Sequence, residues 1–185
     1  LNFSAEKLWH DHLTKFLDEN NLQLRIIRNK MKVRSRQEVE SWCSGFVNLC
    51  RSRGIKVTAQ RLSVYRALVE DLSHPSADAI FARLKKTSPT ISQATVYRTL
   101  EFLANENLIR RVSGPESLSR FDANLSQHQH LFCRECGKFS DISIPDLAKQ
   151  QLPKVADFTV EDMDIRLVGL CGNCSGGKSK RRSRK

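Results

Sequence analysis

The stretch ISQATVYRTLEFLANENLIRRVSG, residues 91–114, holds the key to the fold. Ser92 precedes a run in which Val96, Leu100 and Leu103 recur at helical spacing, and a serine there is a good N-cap. After Asn105 the period changes to that of a short strand, LIRRVSG. A turn at Gly114-Pro115 and a second strand-like run, SLSRFDAN, follow. A helix delivered directly into a hairpin is an unusual order. It raises the question of what lies upstream.

Upstream lie more helices. Residues 38–53 repeat apolar groups at Val39, Trp42, Phe46, Val47 and Leu49 to Cys50, with Gly54 as the stop. Thr58 caps AQRLSVYRALVED. SHPSADAIFARLKK opens on Pro75 and Ser76 and runs to about Lys86. Several short helices followed by a hairpin form a winged helix-turn-helix pattern, in which the last helix enters the DNA major groove. The spacing leaves Gln93, Thr95, Tyr97 and Arg98 outward on that helix. Arg98 can reach a guanine edge or a phosphate. Tyr97 offers a ring to a thymine methyl and a hydroxyl to a phosphate. Residues 4–20 predict a further amphipathic helix, with Leu8, Trp9, Leu13, Phe16 and Leu17 on one face. A basic connector follows to residue 37, and Met31 within it is a candidate native start.

Charge divides the chain in the same place. The net charge is +11, but residues 38–177 carry only +1 of it, because the tail KSKRRSRK (178–185) and residues 1–37 are basic. Residues 38–114 hold eleven basic and seven acidic side chains; residues 115–177 hold six and nine. The first half is suited to a polyanion and the second to other work. The tail reads as a solvated end. No apolar run is long enough to span a membrane and the first residues show no signal-peptide pattern, so the expected location is cytoplasmic.

In that setting six cysteines read as metal ligands or core thiols before disulfides. Cys133 and Cys136 make one CxxC, and Cys171 and Cys174 make a second. Two such knuckles suit one tetrahedral structural zinc. A redox dithiol needs a thioredoxin-like βαβ frame, which is absent from the pattern. Cys43 and Cys50, seven apart on one helix, are expected in the core. If the knuckles share a zinc, then His128 and His130 in HQHLFCREC remain. Two apart in a strand, they point the same way. With Asp122 and Asp141 nearby they form an N and O donor set suited to Fe(II), Mn(II) or Zn(II), and His74 in the SHPS segment would make the metal bridge both halves.

These motifs together resemble the Fur family of metal-dependent regulators over about residues 38–175. GIKVTAQR, HPSADAIF, ISQATVYRTLEFL, SRFDANLSQHQHLFCRECGKFSDI and CGNC carry the likeness. The resemblance implies an α+β chain: a winged-helix DNA-binding domain (38–122), an α/β dimerisation domain with the four-cysteine zinc (123–175), an N-terminal extension (1–37) and a basic tail (176–185). It implies a homodimer on a palindromic double-stranded DNA operator when a regulatory metal is loaded. It further implies no small-molecule substrate, no membrane and no turnover chemistry. Lys56 becomes a minor-groove candidate and Arg61 a phosphate candidate.

Within the family the likeness is to the peroxide-sensing PerR branch, whose ligands fall on His74, Asp122, His128, His130 and Asp141. Iron-sensing members usually have Glu at the position of Asp141. They often add a site for which this chain has only Gln127, Gln129 and Leu170. The implied mechanism is release of DNA after ferrous iron and peroxide oxidise His74 or His128. The alternatives are an iron- or zinc-responsive uptake regulator of the same family, a DNA-binding module without sensing, and a zinc-dependent nucleic-acid enzyme or thiol oxidoreductase. The last lacks an acidic general base beside an open zinc position.

Overall fold

A computed structural model describes residues 34–113, 119–144, 156–160 and 164–175. Helix α1 (Arg36–Ser52) begins two residues before the expected start. Ser35 and Glu38 form a reciprocal capping box: the Ser35 amide donates to Glu38 at 2.7 Å and the Glu38 amide to Ser35 at 3.2 Å. The connector therefore ends at Ser35 rather than at residue 37. Val39, Cys43, Phe46 and Cys50 are buried along one face, so both thiols are core groups as expected. Gly54 ends the segment at φ +68°, a conformation that favours glycine. The predicted helix at 4–20 and the basic tail lie outside the described residues.

Helices α2 (Ala59–Val69), α3 (Ala77–Thr87) and α4 (Gln93–Asn105) start at Thr58, Ser76 and Ser92. Each cap side chain accepts a backbone N–H three residues on, so all three expected caps are in place. Phe46 of α1 stacks on Tyr65 of α2 with centroids 4.0 Å apart. Val96, Leu100 and Leu103 of α4 are fully buried. Thr99 is buried with them, which the apolar pattern alone does not indicate. Each such aliphatic side chain contributes roughly 1.5–3 kcal/mol by leaving water.

Leu108 and Ile109 carry the core into a hairpin of β1 (Arg110–Ser113) and β2 (Ser119–Asp122). The ladder is antiparallel and pairs Arg110 with Asp122. The expected turn at Gly114-Pro115 lies outside the described residues. Strand β2 is also tied to the segment before α3. The Phe121 amide donates to the Pro75 carbonyl at 3.1 Å, and Ser76 bridges Arg120. This strap brings His74 beside Asp122.

The second sheet has the order β4-β3-β5, from β3 (Gln129–Cys133), β4 (Phe139–Ile142) and β5 (Arg166–Gly169). β3 is antiparallel to β4 and parallel to β5, and a one-turn helix α5 (Gly172–Ser175) follows. The β3–β4 register sets His130 opposite Asp141. The chain is thus α+β, helices and a hairpin first and a small mixed sheet second. No described helix is long and apolar enough to cross a membrane.

Candidate metal centres and nucleic-acid face

The stretch HQHLFCREC divides between two clusters. Cys133 lies at the end of β3 and Cys136 in the turn behind it; Cys171 immediately precedes α5 and Cys174 lies within it. One sulfur from each of the four falls within 4.8 Å of every other. The Cys136 and Cys171 sulfurs are 3.7 Å apart. That is far beyond a disulfide and close to the edge, about 3.8 Å, of a tetrahedron with arms of about 2.3 Å. Two local features shape the knuckles. Gly137 turns at φ +69°, and the Cys133 sulfur accepts the Cys171 amide at 3.3 Å. Burial disfavours the Cys133 thiolate, but the backbone amides of Cys136, Cys171 and Glu135 outweigh it and hold the thiol at about 6. Its neighbours push the Cys174 thiol up to about 12. Four thiols crowded this closely ionise together only around a cation.

The second cluster brings together all five expected N and O donors: His74, Asp122, His128, His130 and Asp141. They come from the strap before α3, from β2, from the lead into β3 and β3 itself, and from β4. The site therefore joins the helical part to the second sheet. His74 Nε2 is 2.9 Å from Asp141 Oδ1 and 3.5 Å from Asp122 Oδ2. His128 Nε2 is 3.0 Å from both Asp122 Oδ2 and His130 Nε2. His130 Nε2 is 3.9 Å from Asp122 Oδ2. A tetrahedron with arms of about 2.1 Å has edges of about 3.4 Å. Separations on both sides of that value suit a higher coordination number than the cysteine cluster.

The donors fit a cation on a second count. His74 Nε2, Asp122 Oδ2 and Asp141 Oδ1 are buried and face one another, yet none makes an aligned hydrogen bond among the described residues. Such groups cost about 1–3 kcal/mol each unless something else engages them. His128 Nδ1 donates to the Ser126 carbonyl at 2.8 Å, which leaves Nε2 as the lone-pair nitrogen of the neutral ring. Asp164 stands 3.7 Å behind His130 Nδ1. Burial lowers the pKa of His74, but Asp122 and Asp141 more than reverse this and push it up to about 9. Burial opposes ionisation of Asp122 as well, and the three imidazoles hold it well below the usual carboxylate range.

Sequence reasoning missed the supports: Ser126, Asp164 and Arg120. Arg120 donates from Nη1 to the His74 carbonyl at 3.0 Å and lies 5.0 Å over the Phe139 ring. It touches the segments that supply His74, Asp122 and Asp141. The one signal for it was its place two residues before Asp122 on a strand, hence on the same side. His74 itself has φ +54°, a left-handed conformation uncommon for residues other than glycine, and it lies at the start of the strap tied to β2.

On the other face, α4 presents Gln93 and Arg98 outward, Tyr97 40% exposed and Thr95 half-buried. The Thr95 hydroxyl is bound to Ser92 at 2.8 Å, so it serves the cap. Arg98 has no hydrogen-bond or ion-pair partner among the described residues. Lys56 is exposed. Arg61 is committed to the protein: it donates to the Lys56 carbonyl at 2.6 Å and stacks over Phe102 at 3.8 Å.

Comparison with known proteins agrees with this architecture. The model of the ferric uptake regulator family matches residues 52–168. The peroxide-responsive repressor PerR of Staphylococcus epidermidis is 35% identical over 126 residues, 67% of this chain and 84% of that protein. The PerR of Staphylococcus saprophyticus is 31% identical over 140 residues, 75% of this chain and 95% of that one. Among solved structures, the Helicobacter pylori ferric uptake regulator Fur superposes with a TM-score of 0.58 at 23% identity, covering 80% of this chain and 99% of its own. A zinc uptake regulator complexed with zinc and DNA gives 0.59 at 20% identity, covering 78% and 99%. At those identities the superpositions establish a shared fold. The matched family model and the PerR identities together show that this chain belongs to the ferric uptake regulator family of metal-responsive regulators.

Proposed function

We propose that the protein is a metal-dependent DNA-binding repressor that senses hydrogen peroxide. In this reading it acts as a homodimer on a palindromic operator. The helical part and its hairpin form a winged-helix DNA-binding half, with α4 as the recognition helix. The second sheet forms the dimerisation half. Cys133, Cys136, Cys171 and Cys174 hold a permanent zinc, and His74, Asp122, His128, His130 and Asp141 hold an exchangeable Fe(II) or Mn(II).

One observation carries the reading: the three imidazoles and two carboxylates converge from both halves of the fold. The relative placement of the halves seen here brings all five donors together. A cation that prefers that placement stabilises it by the same free energy with which it binds there more tightly. His74 fastens the strap that leads into α3, and α3 packs beside α4. His74 and His128 would be among the residues that hold ferrous iron, which would supply the redox chemistry by which peroxide could oxidise one of those two imidazoles. A damaged imidazole no longer completes the set, and the DNA-binding placement relaxes. The PerR relatives and the aspartate at position 141 support peroxide as the signal.

The test uses a duplex selected in vitro by the Mn(II)-loaded protein. Fluorescence anisotropy follows release from the Fe(II) and Mn(II) forms with and without peroxide. The expected result is release of the Fe(II) form alone, with an added oxygen atom on a His74 or His128 peptide by mass spectrometry. Equal resistance of both forms excludes peroxide sensing and leaves the uptake-regulator reading.

A further inference from the structure

Asp78 sits in the first turn of α3, exposed, and is no part of either metal cluster. Its Oδ1 accepts two hydrogen bonds from α4, from Gln93 Nε2 at 2.8 Å and from the Tyr97 hydroxyl at 2.9 Å. Two of the side chains that face outward on the recognition helix are therefore tied to one carboxylate oxygen on the neighbouring helix.

The chemistry of the acceptor fixes which end of each partner it takes. An ionised carboxylate only accepts, so it selects the amide nitrogen of Gln93 and turns the Gln93 carbonyl away. It likewise takes the phenolic proton, so Tyr97 offers outward its ring and an oxygen that accepts. The bond to Asp78 also raises the pKa of Tyr97. With its proton so used, Tyr97 is a poor donor to a phosphate. A free glutamine has no such preference and reads acceptors and donors alike.

We infer that Asp78 is a specificity-determining residue of the nucleic-acid face: by orienting the Gln93 amide it makes that side chain select a base whose major-groove edge carries an amino group. The inference rests on the DNA-reading role of α4 proposed above. Adenine, with N6 amino and N7 acceptor, fits both the outward carbonyl and the second N–H of Gln93; cytosine fits the carbonyl alone. Guanine and thymine present only acceptors there, which can take the second N–H but leave the outward carbonyl facing O6 or O4 without a donor, so they are disfavoured. Asp78 is a positioning residue here, acting through Gln93.

The experiment is in vitro selection from a random-sequence duplex library, using the full chain loaded with zinc and Mn(II). The wild type, Gln93→Ala, Asp78→Asn and Asp78→Ala are compared. Zinc content and Mn(II) binding serve as controls and are expected to be unchanged, since Asp78 lies outside both clusters. The wild type is expected to enrich a motif, and Gln93→Ala to lose preference at one position. That position should favour adenine or cytosine by about tenfold in the wild type. Asp78→Asn keeps the shape but both donates and accepts, so the Gln93 amide flips freely and the preference drops to within about twofold. Asp78→Ala should behave alike. Wild-type preference retained in both Asp78 variants overturns the inference, and so does a Gln93→Ala selection identical to the wild type. Failure of the wild type to enrich any motif is a different result: it overturns DNA reading by α4, and the role of Asp78 with it.

Discussion

In the absence of the regulatory metal, a proton on His74 should take over part of the cation's work. His74 is 3% exposed and lies 2.9 Å from Asp141 and 3.5 Å from Asp122. Its folded pKa of about 9 lies above the ordinary value of about 6.5. A raised pKa means that the folded state binds the proton more tightly than the unfolded chain. The resulting stability is fully present below about pH 6.5, declines between 6.5 and 9, and is gone above about 9. The interval corresponds to ~3 kcal/mol, or roughly 6–12 °C for a chain of this size. The assay is thermal unfolding of the zinc-loaded, Mn-free protein from pH 6 to 9.5, beside a His74→Gln variant that cannot take up the proton. Wild type should lose its advantage over the variant across that range. Mn(II) should reverse the trend. It displaces the proton, so its apparent affinity rises about tenfold per pH unit up to 9. Parallel curves for wild type and His74→Gln would refute the reasoning, because the buried carboxylates would then not hold a proton on His74.

Three further outcomes follow from the geometry. Asp141→Ala leaves His74 facing one carboxylate instead of two; calorimetry should show Mn(II) affinity reduced by at least a hundredfold with one zinc retained, while loss of zinc would show the clusters to be one unit. Arg120→Met removes the guanidinium that holds the His74 carbonyl but no ligand; the ratio of DNA affinities with and without Mn(II) should fall about five- to tenfold, the scale of a 1–1.4 kcal/mol coupling, and an unchanged ratio would assign Arg120 to packing alone. Leu100→Ala opens a cavity in the helical core; denaturant unfolding should record a loss of about 2–5 kcal/mol, and a loss under 1 kcal/mol would contradict its complete burial.

The parts legible in the sequence were those set by local chemistry. Thr58, Ser76 and Ser92 mark helix starts because a side-chain oxygen three residues ahead of a free amide needs nothing distant; Ser35 does the same from within the expected connector. The two CxxC pairs announced a shared centre because each knuckle is self-contained. The five N and O donors were legible through alternation at His128 and His130, through the nearby Asp122 and Asp141 and through His74 before a helix start, with the family resemblance implying the same set. What stayed hidden depends on tertiary contact. Nothing near Arg61 in sequence shows Phe102 beneath it. Fifteen and nineteen residues separate Asp78 from Gln93 and Tyr97, and only the packing of α3 on α4 joins them. The strap from His74 to Ser76 likewise exists only because β2 runs beside it.

Strand β3 carries His130 and Cys133 three residues apart, with Asp141 on one neighbouring strand and Cys171 just beyond the other. The two centres are consequently in series. In the proposed reading, stripping the exchangeable ion would leave the sulfur end of the strand anchored, so that the site could reload. Were the sulfur end unfastened, β3 would keep only its two short ladders, and a one-residue slip in them would turn the imidazole of His130 to the opposite side. On the same reading, chelation would thus silence the molecule reversibly, whereas oxidation of a ligating imidazole or of the thiols would retire it for good.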